Sequence, residues 1–151
     1  MRTAPFPEWP IHGDREEQLL LEVLRSGKWS IFNGDKVKTF QEKFAAYQGA
    51  RFAVCAPNGT LALQMALMAL GVGPGDEVLV PAYTFIATVS AALLLGARPV
   101  FVDIDPDSYT MDPAGIAAAV TSKTKVVIPV HLAGRPADMD GILSAAKKYG
   151  L

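Results

Sequence analysis

A chain of 151 residues, half of them hydrophobic and 19% charged, is long enough to bury the core of one ordinary domain and too apolar to stay disordered. Its net charge of −1 gives no reason to expect nucleic acid or an anionic membrane surface as a partner, and its single cysteine, Cys55, excludes a disulfide within these residues. Arg2-Thr3-Ala4-Pro5 does not open a signal peptide, and the apolar segments 61–70 and 85–95 are too short to span a bilayer, so a soluble cytoplasmic protein is expected.

Residues 1–13 carry Pro5, Pro7, Pro10 and Gly13 and read as an extended arm. Phe6, Trp9 and Ile11 would want burial there, against a partner subunit. Asp14-Arg15-Glu16-Glu17 predicts a helix start, with Asp14 as its cap. Leu20, Leu21, Val23 and Leu24 would form its buried side. The loop Lys28 to Gly34 follows. Val37, Phe40, Phe44 and Tyr47 recur at spacings of three and four, which marks one face of a helix over 35–47.

The apolar run 52–56 predicts a buried strand. Pro57-Asn58-Gly59-Thr60 breaks it, and 61–70 predicts a helix covered on all sides, closed by Gly71. Strands are then expected over 77–80, 98–104 and 125–130, and helices over 89–95, from Asp112-Pro113 to about Val120, and over 139–149. The alternation of strand and helix, four times after residue 51, implies crossover connections. The fold class is therefore α/β, a three-layer sandwich with a mostly parallel sheet and helices on both faces. The domain division expected is an arm with helices over 1–50 and the α/β region over 51–151. The turns 57–60, 81–85 and 131–135 each follow a strand and precede a helix, so they are expected to converge on one crevice.

Asn58-Gly59-Thr60 has the parts of a phosphate cradle. A helix N-terminus presents unpaired N–H groups and a partial positive charge, glycine lets an anion approach, and threonine adds a hydroxyl. Taken alone, the same residues read more simply as a cap and a turn. Their company changes that. Gly59-Thr60-Leu61-Ala62-Leu63, with Pro81-Ala82-Tyr83-Thr84-Phe85-Ile86-Ala87-Thr88 and Pro129-Val130-His131-Leu132-Ala133-Gly134, resembles the DegT/StrS-type aminotransferases from about Glu8 onward.

The resemblance implies the large domain of the type I fold of pyridoxal phosphate (PLP) enzymes, represented by its N-terminal part and incomplete at the C-terminus. It implies PLP as cofactor and transfer of an amino group from glutamate or glutamine to a keto sugar or keto cyclitol, as in amino-sugar and antibiotic biosynthesis. It implies a homodimer with the site at the interface. By match to the family's motifs, Gly59, Thr60 and the Leu61 N–H would hold the cofactor phosphate, and Phe85 would stack on the ring. Trp29, Ser30 and His131 become candidates for substrate contact, although Trp29 also reads as a packing anchor and His131 equally as a satisfied histidine. No metal is expected. The family's Schiff-base lysine and pyridinium-binding aspartate belong to positions beyond Leu151, and none of Lys28, Lys36, Lys38, Lys43, Lys123, Lys125, Lys147 and Lys148 fits the lysine's context. No catalytic residue is assigned, and no transamination is expected of residues 1–151 alone. The alternatives are a sugar dehydratase of the same family and a non-catalytic fragment. A nucleotide-binding Rossmann domain would need a Gly-x-Gly-x-x-Gly after a strand, and there is none.

Overall fold

A computed structural model describes residues 4, 5 and 8–151. The expected burial of Phe6 lies outside the described residues. The chain divides into two compact units, Met1–Cys55 and Ala56–Leu151.

The first unit holds two helices, α1 (Asp14–Ser26) and α2 (Lys36–Tyr47). Asp14 is not the cap of α1: Gly13 takes that place, and its N–H donates to Glu16 Oε2 at 2.9 Å. The Glu16 carboxylate, at the third helical position, reaches back to the amide of the capping residue, the half of a capping box that a residue without a side chain can still make, and this fixes the cap one residue before Asp14. The expected buried side of α1 is only partly formed. Leu21 and Val23 are half-buried, whereas Leu20 and Leu24 are exposed. On α2 the Phe40 and Phe44 rings stack at 5.5 Å, yet both stay exposed and Ala45 alone is buried. Trp9 and Ile11 are exposed as well.

The run 52–56 does not form the expected strand, so the four-fold alternation falls to three strands. A strand is defined by a neighbour that takes its N–H and C=O groups, and no such neighbour pairs with this run among the described residues. Phe52 and Val54 are accordingly exposed.

The second unit contains α3 (Gly59–Ala69), β1 (Glu77–Pro81), α4 (Ile86–Leu93), β2 (Arg98–Val102), α5 (Pro113–Ala119), β3 (Thr124–Val127) and α6 (Met139–Tyr149). The three strands form one parallel sheet in the order β2-β1-β3, so the chain reverses direction across the sheet after β2. β1 is wholly buried and its side chains alternate between two cores. Val78 and Val80 pack with Leu67 of α3 and Ala91 and Ala92 of α4. Leu79 packs with Val102, Met111, Ile116 of α5 and Ile142 of α6. This is the three-layer α/β arrangement, with α3 and α4 on one face and α5 and α6 on the other.

The strand starts are pinned by one buried carboxylate. Glu77 pairs with Arg98 at the start of β2, and its Oε2 accepts from Thr121 Oγ1 at 2.6 Å and Thr124 Oγ1 at 3.3 Å. The Thr121 hydroxyl, then Arg98, holds the Glu77 carboxyl below the usual range. α3 is not covered on all sides as its composition suggested. Leu67 is buried, but Met65, Met68 and Leu70 are exposed.

Candidate functional site

α3 begins two residues earlier than its apolar pattern suggests, which places Gly59 and Thr60 in its first turn. Asn58 caps it in extended backbone, with Oδ1 accepting the Leu61 N–H at 3.0 Å. The Leu61 N–H is therefore engaged by the cap. The Gly59 and Thr60 N–H groups, at the first two helical positions, have no acceptor within the helix. An added Cβ at Gly59 would meet nothing within 4 Å, and the residue has no left-handed φ. Neither packing nor conformation accounts for glycine here. Its effect is to leave the helix N-terminus bare.

α4 supplies the opposite wall. Its cap residue, Phe85, lies in extended backbone and is 74% exposed, so it is no core aromatic. Thr84 Oγ1 and Thr88 Oγ1 share a hydrogen bond of 2.9 Å, which steadies the turn that carries Phe85. Asn58, Gly59, Thr60, Ala62 and Leu63 of one element and Phe85, Ala87 and Thr88 of the other line a groove of about 660 Å³. The structure thus brings together Gly59, Thr60 and Phe85: backbone donors, a hydroxyl and an aromatic face around one space. An anionic group fits the helix end and a flat ring fits the phenyl face. The sequence did not mark Thr88 as part of this site, although it stands in the quoted Thr84-Phe85-Ile86-Ala87-Thr88 run.

The remaining residues lie elsewhere. His131 follows β3 and is exposed. Its Nδ1 accepts the Ala137 N–H at 3.0 Å, so in the neutral ring the hydrogen sits on Nε2. In the first unit Trp29 is 70% exposed, with Nε1 donating to the Leu24 carbonyl at the end of α1 at 3.2 Å. Ser30 is consumed by its own turn. Its N–H and hydroxyl donate to Asn33 Oδ1 at 3.1 and 3.0 Å, and its carbonyl accepts the Gly34 N–H at 2.8 Å. A Cβ at Gly34 would come within 2.9 Å of the Lys28 carbonyl, so only glycine closes this turn.

Of the three turns expected in one crevice, 57–60 and 131–135 line different grooves, and 81–85 contributes to both, Phe85 to the first and Ala82 and Tyr83 to the second. A second groove, of about 550 Å³, is lined by Ala82, Tyr83, Asp103, Ile104, Tyr109, Leu132 and Ala133. The reason is the layering. Turn 57–60 and Phe85 lead into helices on the Val78/Val80 face, whereas 103–112 and 131–138 lead into helices on the Leu79 face.

Residues 10–151 match the DegT/DnrJ/EryC1/StrS aminotransferase family. The chain belongs to that family. It is 48% identical to 3-amino-5-hydroxybenzoate synthase of Amycolatopsis mediterranei, over 99% of this chain and 39% of that protein. It is 46% identical to UDP-2-acetamido-2-deoxy-3-oxo-D-glucuronate aminotransferase of Pseudomonas aeruginosa, over 91% of this chain and 38% of that protein. The crystal structure of 3-amino-5-hydroxybenzoic acid synthase superposes with a TM-score of 0.93 at 48% identity, covering 97% of this chain and 38% of that one. The chain thus spans under two-fifths of these relatives, and in the family it corresponds to the N-terminal part of the domain. No helix among the described residues is long and apolar enough to cross a membrane.

Proposed function

We propose that this chain serves a PLP-dependent aminotransferase that moves an amino group from glutamate or glutamine to a keto sugar or keto cyclitol, and that its part is to hold the cofactor. One observation carries the reading: the bare first turn of α3 and the exposed Phe85 ring line the same groove. The Gly59 and Thr60 N–H groups and the Thr60 hydroxyl would take the phosphate, aided by the partial positive charge of the helix end. The Phe85 face would cover one side of the ring and keep water from it. Bound there, the cofactor supplies an electron sink for the carbon that loses or gains the amino group. Trp29, through its exposed ring, and His131 are proposed substrate contacts, whereas the Ser30 hydroxyl is already spent on Asn33. Of these, His131 offers Nε2–H as a donor, held in that form by Ala137. A homodimer in the cytoplasm, and a domain division near residue 50, complete the proposal.

One of the related proteins named above is by name a sugar aminotransferase, which favours amino transfer over dehydration. A non-catalytic role has no observation in its favour that the bare, aromatic-walled groove does not oppose. The test is a half-reaction. Protein purified from its native source with PLP is mixed with glutamate or glutamine. Loss of the cofactor's visible band with release of the matching 2-oxo acid is expected. A band that persists at saturating donor contradicts the reading.

A further inference from the structure

Phe85 is the aromatic wall of the first groove, yet its own side chain does little to hold it there. It is exposed, the Ile86 side chain beside it is exposed as well, and no other ring meets it among the described residues. As the cap of α4 it brings no side-chain hydrogen bond to the helix end. Packing therefore does not set where the ring points. The direction of its Cα–Cβ bond is set by the backbone on either side.

That backbone is tied at three points. The Ala82 N–H donates to the Val102 carbonyl at 2.9 Å, which fixes the start of the turn on β2. The Thr88 N–H donates to the Phe85 carbonyl at 3.1 Å, which fixes its end on α4. The third tie spans Phe85 itself: the hydroxyls of Thr84 and Thr88 join at 2.9 Å from either side of it. Thr88 is a firm anchor for this bond. It is 5% exposed, shares the buried face of α4 with Ala91 and Ala92, and is stiff at its branched β-carbon. Thr84 is half-buried and does not line the groove. The two partners thus differ in what their loss leaves behind. Without the Thr88 hydroxyl, that of Thr84 can turn to water. Without the Thr84 hydroxyl, that of Thr88 is buried and unpaired, which is the costlier state. We propose that Thr84 and Thr88 are a positioning pair, whose hydrogen bond keeps Phe85 turned to the groove and so raises affinity for the cofactor without either hydroxyl touching it. This rests on the cofactor-holding reading above.

The probe is pyridoxamine phosphate, titrated calorimetrically into the purified protein, with urea denaturation of the same samples. Thr84→Val and Thr88→Val break one and the same bond, so each should weaken binding by about threefold to fivefold, the scale of one hydrogen bond. Their urea midpoints should differ, with Thr84→Val the lower. Thr88→Ser keeps the hydroxyl and loses a buried methyl, so it should lower the midpoint and leave the Kd unchanged. A merely structural pair would make affinity follow the midpoint through all three variants. In a Phe85→Ala background Thr88→Val should no longer change the Kd, because the pair acts only through the ring. A Thr88→Val loss that persists in that background overturns the proposal, as does affinity that follows the midpoint. If Thr84→Val does not fold, the volume-conserving Thr88→Val, Thr88→Ser and the Phe85→Ala background carry the test. Unsubstituted protein that binds no pyridoxamine phosphate overturns the cofactor reading and this inference together. Binding by that protein, with an unchanged Kd in the valine variants, overturns this inference alone.

Discussion

Asn58, Gly59 and Thr60 each do something separable. Asn58 stabilises α3 through the Leu61 N–H, so Asn58→Ala should lower unfolding free energy by about 1 kcal/mol, read by urea denaturation. Gly59→Ala should not lower stability, because alanine suits a helix better than glycine and its Cβ has free space. The same change should weaken pyridoxamine phosphate binding about tenfold in titration calorimetry, by holding a phosphate off the backbone. The cradle was legible in the sequence because its parts are consecutive residues. The engagement of Leu61 was not, since it depends on where the helix starts, and apolar periodicity does not mark the first turn. The consumption of the Ser30 hydroxyl by Asn33 was hidden for a similar reason: the tight turn at Gly34 decides it.

Among the elements, β1 carries the fold. Leu79 is fully buried in the core shared with Met111, Ile116 and Ile142, so Leu79→Ala should cost about 3 kcal/mol, measured by denaturant unfolding. Glu77 ties the starts of all three strands. Its carboxyl is held below the ordinary glutamate value, so folding favours its ionised form. The stabilisation is complete above the unfolded value of about 4.3 and is lost as pH falls through the depressed folded value. Asp76 and Asp105, held low first by the Gly73 and Ser108 N–H groups, shift stability in the same direction. The urea midpoint should therefore fall between about pH 7 and about pH 3, and Glu77→Gln should flatten that fall. β1 and α6 were readable from segments closed by Pro81 and Gly150, and β2 from its Val100-Phe101-Val102 run, which was expected to go two residues further, to Ile104. The run 52–56 carried the same signal and formed no strand, because composition does not supply the neighbour a strand requires. The Glu77 network was not readable either, since Thr121 and Thr124 lie over forty residues away in the chain.

At the scale of the molecule, exposed apolar side chains stand out. Met65, Met68 and Leu70 of the α3 region and Ile86, Leu93 and Leu94 of the α4 region are all exposed. Surface of this kind in quantity marks an interaction site. Sedimentation should show a mass that rises above 16.1 kDa with concentration, as the proposed homodimer requires; a constant 16.1 kDa would exclude it. The α/β layering was legible from alternation alone, whereas the separation of the loops into two grooves was not, because alternation does not say which face each helix covers. The central claim is that the first turn of α3 and Phe85 hold a phosphorylated aromatic cofactor. Its most direct test is the affinity of the purified protein for pyridoxamine phosphate, which lacks the aldehyde that would react with surface lysines. The account predicts saturable binding that falls about tenfold or more in both Thr60→Val and Phe85→Ala. Binding that is absent, or unchanged in both variants, would contradict it.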